Sequence, residues 1–248
     1  MKTLSLILLL VAGAASAQSI PTEILLLPLD AGSTPGAHGS QWVVEWTRHV
    51  TGSARVGYFV PNCGLLNCRF FFEPGTALIR GPFFSIVAIE QEGAEDLTYS
   101  ILVRDTSRAA ENWGTTLNAV REREFATEVI NLLNIPGDTR YRRALRLWTF
   151  PDEVFAAMTL HVRIFDMTAE LAGAPVVLAE RSISIPATTH TSVMSGRHLI
   201  TDFDGMFPEA VGAERLRIEV RRTEGAGRFW GFASITNNET QLITTFVP

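Results

Sequence analysis

Arg215-Leu216-Arg217-Ile218-Glu219-Val220-Arg221 decides the fold class. In an extended chain Leu216, Ile218 and Val220 point one way and the charged residues the other, the pattern of a half-buried β-strand. Leu97, Tyr99, Ile101 and Val103 repeat it, as do Leu160, Val162 and Ile164, and less cleanly Arg181, Ile183 and Ile185. Further strands are expected at 41–47, 55–60, 69–72, 84–89, 142–148, 229–235 and 241–247. Turn signals separate them: Thr51-Gly52-Ser53, Glu73-Pro74-Gly75, Gln91-Glu92-Gly93, Phe150-Pro151-Asp152, Gly225-Ala226-Gly227 and Asn237-Asn238. Short strands with frequent turns predict an all-β protein of antiparallel sandwich or barrel architecture.

Two segments resist that reading. Across 125–133, Phe125, Val129 and Leu133 with Ala126 and Ile130 make a helical stripe that Asn134-Ile135-Pro136-Gly137 would stop. A second short helix is expected within 203–211, interrupted by Pro208. The Pro, Gly and Asp of 134–139 also mark a boundary, giving one module over 18–135 and another over 136–248, each about the size of an ordinary β-sandwich. The halves echo each other weakly: each has a Trp-containing strand (Trp42 and Trp46; Trp148), then a Pro-x-Thr turn (Pro74, Pro186), then a polar-ended strand.

Residues 1–17 form a three-part leader: Lys2 near the start, an apolar run from Leu4 to Ala15, and a small-x-small cleavage site at Ala15-Ser16-Ala17. This predicts a secretory signal peptide and a mature chain that begins at Gln18, either secreted or periplasmic. The apolar run is shorter than the roughly 20 residues that span a bilayer, so no stable membrane insertion is expected. Pro and Gly interrupt most alternating runs, against an outer-membrane barrel. Lys2 is the only lysine, so the mature chain has no lysine for a Schiff base, a phosphate-binding loop or a Ser-x-x-Lys pair. The net charge of −5 without a basic run argues against nucleic acid as a partner. In an oxidising compartment Cys63 and Cys68, at either end of an apparent turn, are expected to form a disulfide contributing roughly 2 kcal/mol.

Catalytic and metal signatures are thin. No Ser sits in G-x-S-x-G, and His38, His49, His161, His190 and His198 show neither H-E-x-x-H nor H-x-H spacing. Asp202-Phe203-Asp204-Gly205 with Glu209 resembles a calcium loop but lacks its ligand spacing, and Asp202 reads better as a helix N-cap. Glu90 with Glu92, and Glu122 with Glu124, read as solvated pairs on strand faces. Gly225-Ala226-Gly227 reads as a hairpin turn, and Asn238-Glu239-Thr240, formally a glycan acceptor, as a turn with Asn237.

Gly36-Ala37-His38-Gly39-Ser40-Gln41-Trp42 and Trp230-Gly231-Phe232-Ala233-Ser234-Ile235-Thr236-Asn237-Asn238-Glu239-Thr240 resemble the opening and closing signatures of secreted bacterial proteins with tandem immunoglobulin-like β-sandwich modules. The opening departs from the usual pattern in carrying Val43-Val44-Glu45 after the Trp, where Thr-x-Leu is common. The resemblance implies two immunoglobulin-like modules and export, and carries no activity with it.

The expected function is that of an exported, non-enzymatic β-sandwich protein with a structural or adhesion-like role, without cofactor or metal, toward a protein or glycan partner. A carbohydrate-binding protein with exposed aromatics is the alternative, and a secreted hydrolase with a dispersed site the third reading. Trp42, Val44 and Trp46 share one face of their strand, and that face is expected to lie mostly between sheets.

Overall fold

The computed structural model describes residues 21–53, 55–60, 68–79, 86–108, 113–150, 156–186 and 196–248. The expected leader lies outside them. So does Cys63, and only the backbone of Cys68 is described, so the expected disulfide falls outside as well.

The alternation becomes strand pairing. The first half holds β1 (Thr22–Leu26), β2 (Gly32–Pro35), β3 (Gln41–Val50), β4 (Val56–Val60), β5 (Cys68–Phe72), β6 (Gly75–Ile79), β7 (Ile86–Glu90), β8 (Leu97–Asp105), β9 (Thr115–Asn118) and β10 (Val120–Arg121). The second holds β11 (Val129–Pro136), β12 (Tyr141–Phe150), β13 (Met158–Asp166), α1 (Met167–Leu171), β14 (Val176–Ile185), β15 (Gly196–Ile200), α2 (Phe203–Met206), β16 (Arg215–Glu224), β17 (Arg228–Asn237) and β18 (Ile243–Phe246). The chain is all-β and sandwich-like, with antiparallel sheets and, among the described residues, two short helices.

Four sheets result. Sheet I runs β10-β1-β7-β4-β5, and sheet II runs β2-β3-β8-β9 with β6 paired to β3. Sheet III runs β11-β16-β13-β14 and sheet IV β15-β12-β17-β18. Sheets III and IV enclose one core, in which Leu160, Val162, Ile164, Leu216, Ile218 and Val220 meet Leu145, Leu147, Ala233 and Ile235. Sheets I and II enclose the other, around Leu26, Trp46, Ile89, Tyr99 and Ile101.

Sheet IV is buried on both faces at one end. The odd-numbered apolar residues of β12 and β17 fill the second core, while Trp148, Phe150, Trp230 and Phe232 on the opposite face join the first. Alternation is therefore lost at the end of β12, where Leu147, Trp148, Thr149 and Phe150 are all buried. The rings stack as they bury: Trp148 lies 5.8 Å from Phe232 at 10°, and Phe125 lies 4.1 Å from Phe150 at 7°. Large side chains buried in this way contribute on the order of 1.5–3 kcal/mol each. Polar contacts add direction. The Glu122 carboxylate accepts from the Ile24 amide of β1 (2.8 Å) and pairs with Arg228 of β17, so one side chain ties the two halves. Ala126 and Phe229 exchange backbone hydrogen bonds of 2.8 Å.

Two expectations are corrected. Residues 125–133 are not helical: β11 starts at Val129 and pairs with β16. Ile130 and Leu132 are buried in strand alternation, a register shift follows, and Ile135 is the next buried residue. A bulge with Asn134 at φ 60° separates Leu132 from Ile135; the helical stripe had joined Phe125 and Ala126, which precede β11, to Leu133, which is exposed on the strand's outer face. β11 itself belongs to sheet III, with β13, β14 and β16. Gly225-Ala226-Gly227 does not close a hairpin; it carries the chain from β16 in sheet III to β17 in sheet IV. The helix expected within 203–211 is present as α2, followed by a 3-10 turn at Pro208–Ala210, and the Asp202 side chain caps it by accepting from the Gly205 amide at 2.9 Å.

Candidate functional site: the cleft between the sandwiches

The face of sheet IV that turns toward the first half changes character along its length. At one end are the aromatic residues of the seal. Further along, register places Arg146 beside Phe232, Ala144 beside Ser234 and Thr245, and Arg142 beside Thr236 and Ile243. Small and hydroxylated side chains cannot fill the space that indoles fill. The two halves therefore part here around a cleft of about 650 Å³. That is within the range of small-molecule sites, roughly 300–1,000 Å³.

The opposite wall comes from the first half. Trp42 and Val44 of β3 and Val103 of β8 continue the inner face of sheet II past the cover of sheet I, and the segment from Leu29 to Thr34 forms the rim. Each part is held from below. The Trp46 indole N–H donates to the Leu29 carbonyl at 2.9 Å, anchoring the start of the rim. The Asp105 carboxylate accepts from the Gln41 amide at 2.8 Å and from the Ser107 amide and hydroxyl at 3.0 and 2.6 Å, fixing the residue before Trp42. Burial raises the Asp105 pKa, but the hydrogen bonds from Ser107 and Gln41 outweigh it and leave the carboxyl below its ordinary value. Gly36 lies against Trp42 so closely that a Cβ there would come within 2.4 Å of the indole nitrogen.

Asp30 on the rim and Arg142 and Arg146 on β12 bring charge to the cleft. Arg142 is half-buried, and its Nη2 donates at 2.6 Å to Oε1 of Gln241, a residue with no exposed surface. Gln241 is in turn fixed, because its Nε2 donates to the carbonyls of Asn238 (2.7 Å) and Asn237 (3.3 Å). Among the described residues Arg142 has no ion-pair partner, and burial alone pulls its pKa down. Its neighbour Arg143 points the other way, to Asp204 and the carbonyls of Pro136 (2.8 Å) and Asp138 (3.3 Å), and is structural.

The residues singled out from sequence fall into two groups. Trp46 is fully buried as expected, and Trp42 is half-buried with an edge on the cleft. The two motif segments converge there, through Ala37 and Trp42 of one and Phe232, Ser234 and Thr236 of the other. The remaining candidates are scattered. His49 contacts Thr76, and His161 lies 3.5 Å from Glu180 on the outer face of sheet III. His190 and the side chain of His198 lie outside the described residues. Asp204 is taken by Arg143, and Glu209 by Arg181 at 2.9 Å. Among the described residues no group of three His, Cys, Asp or Glu could hold a metal.

Glu90 departs from the solvated reading, since it is only 6% exposed and paired with Arg69. Glu122 likewise sits on a 3-10 turn rather than a strand face. Asn237 makes the expected turn, its Oδ1 accepting from the amides of Glu239 and Thr240 at 2.8 and 2.9 Å. Arg142, Gln241 and the Ser234, Thr236 and Thr245 hydroxyls were not anticipated. The available signal was Arg142, Ala144 and Arg146 sharing a strand face with Trp148.

Among the described residues no helix is long and apolar enough to cross a membrane. No protein-family model matches the chain, and neither curated proteins nor solved structures give a significant match.

Proposed function

We propose that the chain is an exported, non-enzymatic interaction protein of two immunoglobulin-like modules, with a Cys63–Cys68 disulfide, and that it takes its ligand in the cleft between them. The leader-like residues 1–17 and the two motif segments support export. The cleft carries the binding reading: its walls are β-strands tied to two cores, and its polar groups include the half-buried Arg142 guanidinium, Arg146, Asp30 and a row of hydroxyls. Such a surface grips and orients a molecule.

The test is a thermal-shift panel of neutral, anionic and cationic small molecules on the mature chain, run in parallel on Ala144→Phe, which fills the cleft floor. A ligand that raises the wild-type melting temperature and fails to raise that of Ala144→Phe is the expected result. If no compound shifts the wild type, or if every shift survives Ala144→Phe, the cleft is not the binding site.

A further inference from the structure

The cleft holds a cation positioned by a neutral group. Most arginines described in the structure face carboxylates: Arg69 meets Glu90, Arg121 meets Glu23, Arg143 meets Asp204, and Arg217 meets Glu170. Arg142 is instead oriented by the side-chain oxygen of buried Gln241. A carboxylate in that position would cancel its charge, whereas an amide fixes its direction and leaves the charge for whatever enters. A guanidinium has five N–H donors in a rigid fork that matches a carboxylate. Beside it, the Thr236, Ser234 and Thr245 hydroxyls run in adjacent rows across β17 and β18. Each hydroxyl both donates and accepts, which suits the alcohols of a sugar ring. The half-buried indole of Trp42 gives the facing wall an apolar aromatic surface, of the kind that packs against the C–H face of a pyranose.

We propose that the cleft binds an acidic saccharide of the hexuronic acid class, its carboxylate on Arg142 and its ring hydroxyls over the Ser234–Thr236–Thr245 floor. The proposal rests on the cleft being the binding site and goes further by naming the ligand chemistry. Gln241 is a positioning residue in this scheme, acting only through Arg142.

The decisive comparison is D-galacturonate against D-galactose, which differ at C6 in carboxylate versus hydroxymethyl, measured by isothermal titration on the wild type, Arg142→Gln and Gln241→Glu. Far-UV circular dichroism and melting temperature establish that each variant is folded. Charge-assisted hydrogen bonds of about 1.5–3 kcal/mol correspond to roughly ten- to a hundredfold in affinity. Galacturonate is expected to bind the wild type at least about tenfold more tightly than galactose, and to lose that advantage in both variants. Gln241→Glu is the sharper variant, because it keeps Arg142 and sets a carboxyl group against it, at the loss of the Nε2 hydrogen bonds to the Asn237 and Asn238 carbonyls.

Equal affinity for galactose would overturn the acidic class while leaving the cleft a binding site. Galacturonate binding undiminished in folded Arg142→Gln and Gln241→Glu would overturn the assignment to Arg142. Binding of neither sugar would overturn the class, and the panel on Ala144→Phe decides the cleft independently.

Discussion

Trp148→Ala is expected to lower the unfolding free energy by about 3–5 kcal/mol, measured by urea denaturation. Trp148 is 1% exposed and packs on Trp230 and Phe232, where sheet IV meets the core of the first half. Removing the indole leaves a cavity that strands fixed by hydrogen bonds on both sides close only in part. Trp148→Phe should behave quite differently. Among the described residues the Trp148 indole N–H is buried without a hydrogen-bond partner, so phenylalanine gives up volume but also removes an unsatisfied donor. Its cost is expected to be about half that of alanine or less. Equal losses for the two variants would mean that the indole nitrogen is satisfied. A loss under about 1 kcal/mol for alanine would mean that the aromatic seal is not packed as described.

Trp46→Ala is expected to cost about as much, 3–5 kcal/mol, and to act on the cleft as well. Trp46 has no exposed surface, and its indole N–H holds the Leu29 carbonyl at the root of the rim. Alanine creates a cavity under sheet II and frees that carbonyl. Trp46→Phe keeps most of the ring and removes only the bond, which separates the terms: about 1–2 kcal/mol for the unpaired carbonyl, and the rest for the cavity. Amide hydrogen exchange in the rim from Leu29 to Thr34 should accelerate in both variants while exchange in sheet III stays unchanged. Unchanged rim exchange in Trp46→Phe would contradict the anchoring role of the indole.

How far the fold could be read in the sequence varied with how many faces of each strand are covered. Residues 215–221 were transparent because sheet III has one face in the apolar core and carries its charges on the other, where Arg215 and Arg221 are exposed and Arg217 and Glu219 are paired. Residues 229–235 and 142–148 were read as strands, but their second face was not assigned. A run such as Phe229-Trp230-Gly231-Phe232-Ala233 has no polar side at all, and that lack of alternation is itself the signature of a strand covered twice. Read in that way, it would have placed sheet IV as a middle layer. The 125–133 segment failed for a local reason: Phe125 and Ala126 lie before β11 and Leu133 is an exposed apolar residue on it, so a stripe at helical spacing joined side chains that share no face.

The cleft was harder to see, because it is made by residues from opposite ends of the chain. Trp42 was singled out by its place in a strand face, whereas Arg142 looked like any wet-face arginine. Only the register of β12 with β17 and β18 sets Arg142 beside Thr236, and only the packing of sheet IV on the first half turns that face inward. Gln241 carried no signal, since a buried glutamine following a turn at positive φ is defined wholly by its surroundings.

At the centre of this account is a single mechanical unit: two sandwiches locked by the Trp148–Trp230–Phe232 seal, so that the cleft beside it has fixed walls. Two modules joined only by a linker move independently and melt separately. Differential scanning calorimetry of the mature chain tests this most directly. The account predicts one endotherm whose calorimetric and van't Hoff enthalpies agree, splitting into two in Trp148→Ala. Two resolved transitions in the wild type would contradict it, because the halves would then unfold without reference to each other and the cleft would be only a gap between neighbours.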